Sequence, residues 1–313
     1  MNRVEDILAQ VSKVIIGKND TVAAMLAGIL SAGHILIEDV PGTGKTTLSR
    51  VMARVLGCTF SRIQFTPDLM PSDIIGLSIY DRSREQFVFK PGPVMSQFLL
   101  ADEINRTSPK TQAALLEAMA EKQVTVDGVT HPLPEPFIVA ATQNPIEYEG
   151  TYPLPEAQLD RFMMRLKLGY AEESEEMKII ALDHEESSFD TVREVITSAE
   201  LLEMRGEVKK VHMAETLHGY ITRLTRATRD HADSLLGVSA RGGQYLYRVS
   251  KGVAFVRGRD YVLPDDIKDM VGAVFSHRLL LKPEARLKGK DETHVLEEIL
   301  HQTFLPVNIE DRI

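Results

Sequence analysis

The chain has 313 residues, enough for two domains or for one large domain with a smaller companion, and its 43% hydrophobic and 26% charged residues are typical of a folded globular protein. Its 36 basic and 45 acidic side chains leave a formal charge of −9. They divide as 16 against 19 over residues 1–170 and 20 against 26 over residues 171–313, so neither half has the excess of Lys and Arg that a phosphate backbone demands. Nucleic acid is therefore not expected as a partner. A lone cysteine, Cys58, excludes a disulfide framework and a thiolate metal site, and fits a reducing compartment. The longest apolar stretch, 22–37, contains Ser31, Gly33 and His34 and falls short of the roughly 20 residues of a bilayer span. Residues 1–10 lack the apolar core of a signal peptide, so the expectation is a cytoplasmic protein with no membrane insertion.

In chain order, Val4, Ile7, Leu8, Val11 and Val14 recur at helical spacing and predict an amphipathic helix. A second helical run from Asp20 to Ala32 stops at Gly33, a residue suited to the position after a helix end. The apolar run 34–37 reads as a buried strand of a parallel sheet, and it opens through a glycine loop into a helix over 46–56. Further strands are expected at 62–65, 98–101 and 137–141, with a helix at 109–121, an alternation that predicts a parallel α/β sheet. Two insertions read as surface β-hairpins: one within 71–92, the other within 123–130 about the Asp127-Gly128 turn. Beyond Gly169 the pattern becomes helical. A polar loop is expected at 184–190, a capping box at Thr197–Glu200, and helices near 214–231, 240–257 and 265–275. This gives an α/β core over residues 1–170 and a small helical domain over residues 171–313.

The loop Pro41-Gly42-Thr43-Gly44-Lys45-Thr46-Thr47, set between a strand and a helix, has the form of a phosphate-binding loop. Its glycines let backbone N–H groups curl around an anion, Lys45 reaches the β and γ phosphates, and the Thr46 hydroxyl holds Mg²⁺. The full motif has a glycine five residues before Gly44, where this chain has Asp39, at the strand exit and away from the phosphate-facing part. A second acid for Mg²⁺ is expected at the end of another buried strand, and Asp102 supplies it. Glu103, one residue on, is the candidate general base or orienter for the attacking water.

These motifs resemble those of the AAA+ ATPases, and within them the MoxR family. The resemblance covers nearly the whole chain: Val-Ile-Ile-Gly-Lys at 14–18, Ala-Asp-Glu-Ile-Asn-Arg at 101–106, Ala-Thr-Gln-Asn-Pro at 141–145, the run 149–162 ending in Leu-Asp-Arg-Phe, and Gly-Val-Ser-Ala-Arg at 237–241. It implies a P-loop NTPase (AAA+) core with a parallel sheet and β-hairpin insertions, a small all-α lid, a homo-oligomeric ring, with a hexamer expected, and ATP with Mg²⁺ as ligands. It further implies that Ile15, Ile16 and Gly17 contribute to nucleotide binding, that Asn144 is the first sensor, that Arg161 is an arginine finger reaching a neighbour's nucleotide, and that Arg241 is the second sensor. Arg241 also has a physical argument: with Ser239 as N-cap it falls in a helix's first turn, where the dipole disfavours a cation unless an anion joins it.

The function expected on this basis is a chaperone-like remodeller or activator of a protein partner. The resemblance suggests one with a von Willebrand factor A domain. Two other classes compete. A nucleic-acid motor of the MCM type would use the hairpins in a pore, yet the hairpin at 123–130 has no Lys or Arg. A scaffold that binds ATP without turnover would have less need of Glu103, Asn144 and Arg161 together. No Asn-Lys-x-Asp guanine motif occurs, which favours ATP over GTP. The stripe Arg223, Arg226, Arg229 reads as a solvated helix face, given Asp230 and Asp233 beside it.

Overall fold

A computed structural model describes residues 2–144, 150–181, 189 and 191–305. The amphipathic N-terminal stretch forms α1 (Asn2–Ser12), which buries Val4, Ile7 and Val11, and α2 spans Asn19–Leu30. Next come β1 (Ile35–Glu38), α3 (Lys45–Val55), β2 (Phe60–Gln64), α4 (Pro71–Ile75), β3 (Gly76–Asp81), β4 (Gln86–Pro91) and β5 (Phe98–Asp102). The order continues through α5 (Pro109–Glu121), β6 (Gln123–Val126), β7 (Val129–Pro132), β8 (Ile138–Gln143), α6 (Glu156–Leu159), β9 (Met164–Leu166) and α7 (Glu173–Ala181). Thereafter come α8 (Ser198–Lys210), α9 (Glu215–Asp230), β10 (Ser234–Leu236), α10 (Ala240–Val256), α11 (Pro264–Phe275), β11 (Leu280–Leu281), α12 (Pro283–Leu287) and α13 (Glu292–Gln302).

The central sheet runs β2-β5-β8-β1-β9, and the first four strands pair in parallel. Phe98–Leu100 and Ile138–Ala141 are fully shielded from solvent, which explains why these strands read as unbroken apolar runs. Because β8 lies between β5 and β1, the segments leaving β5, β8 and β1 open at one edge of the sheet. In parallel α/β sheets that edge, at the carboxyl ends of the strands, is where ligands bind.

The chain divides into two compact units that do not follow sequence order. One comprises residues 1–22, 34–161 and 166–202, and the other residues 23–33, 162–165 and 203–313. The hairpins belong to the first. β3 pairs antiparallel with β4 and β6 with β7, and Asp127 (φ 50°) and Gly128 (φ 80°) both take the left-handed backbone of a tight hairpin turn. Phe89 of β4 stacks on His131 of β7 with ring centres 3.9 Å apart, while Phe87 and Tyr80 at the outer end remain exposed. In the second unit, Ser239 Oγ accepts from the Gly242 N–H and caps α10, as the sequence predicts. The capping box at α8 also forms: Glu200 Oε2 accepts from Thr197 N–H and Thr197 Oγ1 from Glu200 N–H.

Two local expectations need correction. The left-handed residue after α2 is Ala32 (φ 56°), not Gly33; Gly33 is required because a Cβ there would collide with Met163. The region beyond Gly169 is not wholly helical either, since β10 and β11 pair antiparallel, in strands too short for alternation to reveal. Of the polar loop expected at 184–190, all but Phe189 lies outside the described residues.

Candidate functional site

The loop after β1 reaches α3 through Gly42 (φ 84°) and Gly44 (φ 82°), a backbone region that disfavours residues with a Cβ. Open space surrounds both glycines, so the constraint is conformational, and Gly44 starts α3 without a side chain over its first-turn N–H groups. Those donors and the positive end of the helix dipole suit a phosphate. Lys45 Nζ donates to the carbonyls of Asp39 (2.6 Å) and Val40 (3.0 Å), which folds it back over the loop, and Thr43 Oγ1 donates to Val40 O. Pro41, Gly42 and Thr47 are exposed.

Asp39, the departure from the motif, has a structural task. Its carboxylate accepts from Val40 N–H (2.8 Å), Leu168 N–H (2.7 Å) and Gly169 N–H (2.6 Å), and so fastens the entry of the loop to the segment after β9. A glycine could make none of these bonds.

Across the sheet edge, Asp102 ends β5. Its Oδ1 accepts from Thr142 Oγ1 (2.5 Å), while its Oδ2 lies 3.4 Å from Thr46 Oγ1 and accepts from Arg62 Nε (3.0 Å) and Nη2 (2.7 Å). Thr46 and Asp102 thus bring hard oxygen donors together, and an oxygen-only set suits Mg²⁺. The backbone turns left-handed at Glu103 (φ 58°), a conformation that costs a residue with a Cβ about 1–2 kcal/mol and re-aims its carboxylate off the strand. Thr142 Oγ1 accepts the Glu103 N–H (2.9 Å), Gln64 Nε2 donates to Glu103 Oε2 (2.7 Å), and Arg106 pairs with the same oxygen at 3.3 Å. Asn144 is buried at the exit of β8, which lies between β1, the strand that feeds the Lys45 loop, and β5, the strand that ends in Asp102.

Arg62, Gln64 and Thr142 escape sequence reading because nothing in their own strands marks them; only register with β5 does. Thr142 is the most constrained, its hydroxyl both donating and accepting. Thr142→Val keeps the shape and leaves Asp102 Oδ1 and Glu103 N–H without it, so urea unfolding should show a loss of about 1–3 kcal/mol. An unchanged midpoint would show that the hydroxyl is dispensable.

The remaining predicted residues come from other elements. Ile15 is buried beyond α1, Ile16 is half-buried, and Gly17 (φ 73°) has the Glu175 carboxyl directly against it. Arg161 is half-buried and donates through Nη1 to Leu116 O of α5. Arg241 is exposed in the first turn of α10, in the second unit. Of the arginine stripe, Arg226 and Arg229 line a groove of about 440 Å³ between α9 and α10, and Arg229 Nε donates to Val238 O. Tertiary folding also gathers His231, Asp233 and Glu298, a set with no spacing signal. Lys290 Nζ already bonds both carboxylates, at 2.9 and 2.8 Å, and takes the place of a metal cation.

Residues 34–164 match the profile of the ATPase family associated with various cellular activities, and residues 226–299 match the AAA lid domain. The chaperone MoxR1 of Mycobacterium tuberculosis is 41% identical over 98% of this chain and 83% of its own length. The chain belongs to the MoxR family of AAA+ ATPases. Within similar range, the MoxR-type chain is 46% identical to the Bacillus subtilis protein YeaC, over 95% of this chain and 93% of that one. A solved structure from Cytophaga hutchinsonii, an ATPase by assignment, superposes with a TM-score of 0.91 at 42% identity, covering 97% of this chain and 95% of that one. The AAA ATPase domain and the AAA lid domain are thus both present in this chain, and its fold is that of the solved ATPase structure.

Proposed function

We propose that this MoxR-type ATPase hydrolyses ATP with Mg²⁺ in a homo-oligomeric ring of six subunits and uses turnover to remodel or activate a protein partner. The observation that carries the proposal is the gathering of Thr46, Asp102 and Glu103 at the open edge of β1 and β5, with Asn144 leaving β8 between them. Functionally, residues 1–170 act as the ATPase core and residues 171–313 as the lid.

Each residue has a role set by its chemistry. Lys45 and the α3 N–H groups bind the β and γ phosphates, and Ile15, Ile16 and Gly17 contribute to nucleotide binding. Thr46 and Asp102 hold Mg²⁺, which when bound neutralises charge on the phosphate oxygens. Glu103 orients the attacking water and takes its proton. The Asn144 amide contacts the γ phosphate or that water, Arg241 senses the nucleotide from the lid, and Arg161 stabilises charge in a neighbouring subunit's site. Among the described residues no helix is long and apolar enough to cross a membrane, and the cytoplasmic location proposed here rests on the lone cysteine, Cys58.

The partner proposed is a protein with a von Willebrand factor A domain, on the family resemblance. A pull-down with Glu103→Gln, stalled with ATP, should retain such a protein and release it when ADP replaces ATP. Failure to retain any protein from a lysate under stalled conditions would contradict the remodelling role.

Nucleic acid provides a second test. With both halves of the chain acidic, neither single- nor double-stranded DNA should bind at physiological salt or stimulate hydrolysis. Micromolar binding with a steep salt dependence would favour a motor instead.

A further inference from the structure

We infer that Arg62 is a positioning residue that competes with the metal ion for Asp102 and thereby sets how much Mg²⁺ the site requires. The inference rests on the metal role proposed above for Asp102. Of the two carboxylate oxygens, Oδ1 is engaged by Thr142 Oγ1 on the β8 side, which leaves Oδ2 to face Thr46. That oxygen accepts both Nε and Nη2 of Arg62. A carboxylate oxygen has about two lone-pair directions, so two N–H donors leave none for a metal ion or for a water in its shell. The guanidinium charge adds repulsion against a dication brought to the same oxygen. For a metal ion to take that oxygen, Arg62 must move aside.

The surroundings allow that movement. The Arg62 side chain is 47% exposed, and its Nη2 already donates to Gln64 Oε1 at 2.7 Å, an acceptor that can keep the guanidinium beside β2 after it leaves Asp102. Gln64 in turn donates to Glu103. One strand therefore ties the acid assigned to the metal to the acid assigned to water, through Asp102, Arg62, Gln64 and Glu103 in sequence.

The test is binding of a fluorescent, non-hydrolysable ATP analogue to the full chain while Mg²⁺ is titrated, with a parallel series in EDTA. For Arg62→Ala the Mg²⁺ concentration at half-saturation should fall about tenfold, as expected when charge-assisted bonds to Asp102 no longer have to break. Arg62→Lys, which keeps the charge and loses the fork, should lie between Ala and wild type. Affinity in EDTA should be equal for all three. A half-saturation that is unchanged or higher in Arg62→Ala would overturn the inference, since Arg62 would then be neutral to the metal or support it.

Melting temperatures give an independent reading that also serves if only Arg62→Lys folds well. Without Mg²⁺ the variants should melt below wild type, and the gap should narrow with saturating Mg²⁺ and analogue. A gap of constant size would indicate a merely structural pair and would overturn the inference. If the wild type bound no analogue at any Mg²⁺ concentration, the ATPase proposal would fail together with it. Normal wild-type binding with an Mg²⁺ dependence insensitive to Arg62 would remove only the competition.

Discussion

Lys45→Ala is expected to abolish nucleotide binding, whereas Glu103→Gln keeps binding and loses turnover. Lys45 is the charged group of the loop, and its ammonium rests on the Asp39 and Val40 carbonyls, at the mouth of the nest of N–H groups that starts α3. Removing it takes away the loop's charge-assisted bonds to phosphate, each worth about 1.5–3 kcal/mol, so loss of two should lower affinity by about 10² to 10⁴, below the range a titration detects. Glu103→Gln is nearly isosteric. It retains an acceptor for the Gln64 amide and does not alter the loop, but it cannot take a proton, and loss of a general base typically costs about 10² to 10⁴ in rate. Calorimetric titration with ATP and a single-turnover assay separate the two effects. Hydrolysis by Glu103→Gln at near the wild-type rate would withdraw the role given to Glu103.

What could be read from the sequence and what could not differ by the range of the interaction. The strand, glycine loop and helix around Lys45 are contiguous and announce themselves, as do Asp102 and Glu103 at the end of a buried apolar run. The Asp127-Gly128 turn is equally local, because its backbone conformation is dictated by the two residues that occupy it. Asp39 reads as an anomaly in the motif because its partners, Leu168 and Gly169, lie 129 and 130 residues away. Arg62, Gln64 and Thr142 become site residues only through the registers of β2 and β8 with β5. The two compact units interleave for a similar reason: residues 23–33 and 162–165 join the unit that holds the C-terminal helices, a tertiary choice that composition does not record. The cluster of His231, Asp233, Glu298 and Lys290 shows the same effect, since its members come from two loops and one helix, with His231 and Glu298 67 residues apart.

Arg161→Ala should leave ATP affinity close to wild type and collapse the rate. An arginine that acts on charge developing in the transition state contributes little to ground-state binding, and such fingers are worth on the order of 10³ to 10⁵ in rate in P-loop enzymes. The Arg161 guanidinium also donates to the Leu116 carbonyl, so the variant's melting temperature should be recorded beside its kinetics to separate a lost finger from a loosened α5. If the site is shared, wild-type activity per subunit should rise with protein concentration, because dilution parts each P-loop from its neighbour's arginine.

The most direct measurement of the shared site is hydrolysis by a mixture of Arg161→Ala and Lys45→Ala subunits under conditions where exchange is verified. An Arg161→Ala subunit retains a sound P-loop, and a Lys45→Ala neighbour can supply the missing arginine. The account predicts that two inactive preparations regain turnover on mixing. Verified exchange with no recovered activity, alongside wild-type activity independent of concentration, would contradict a site completed between subunits.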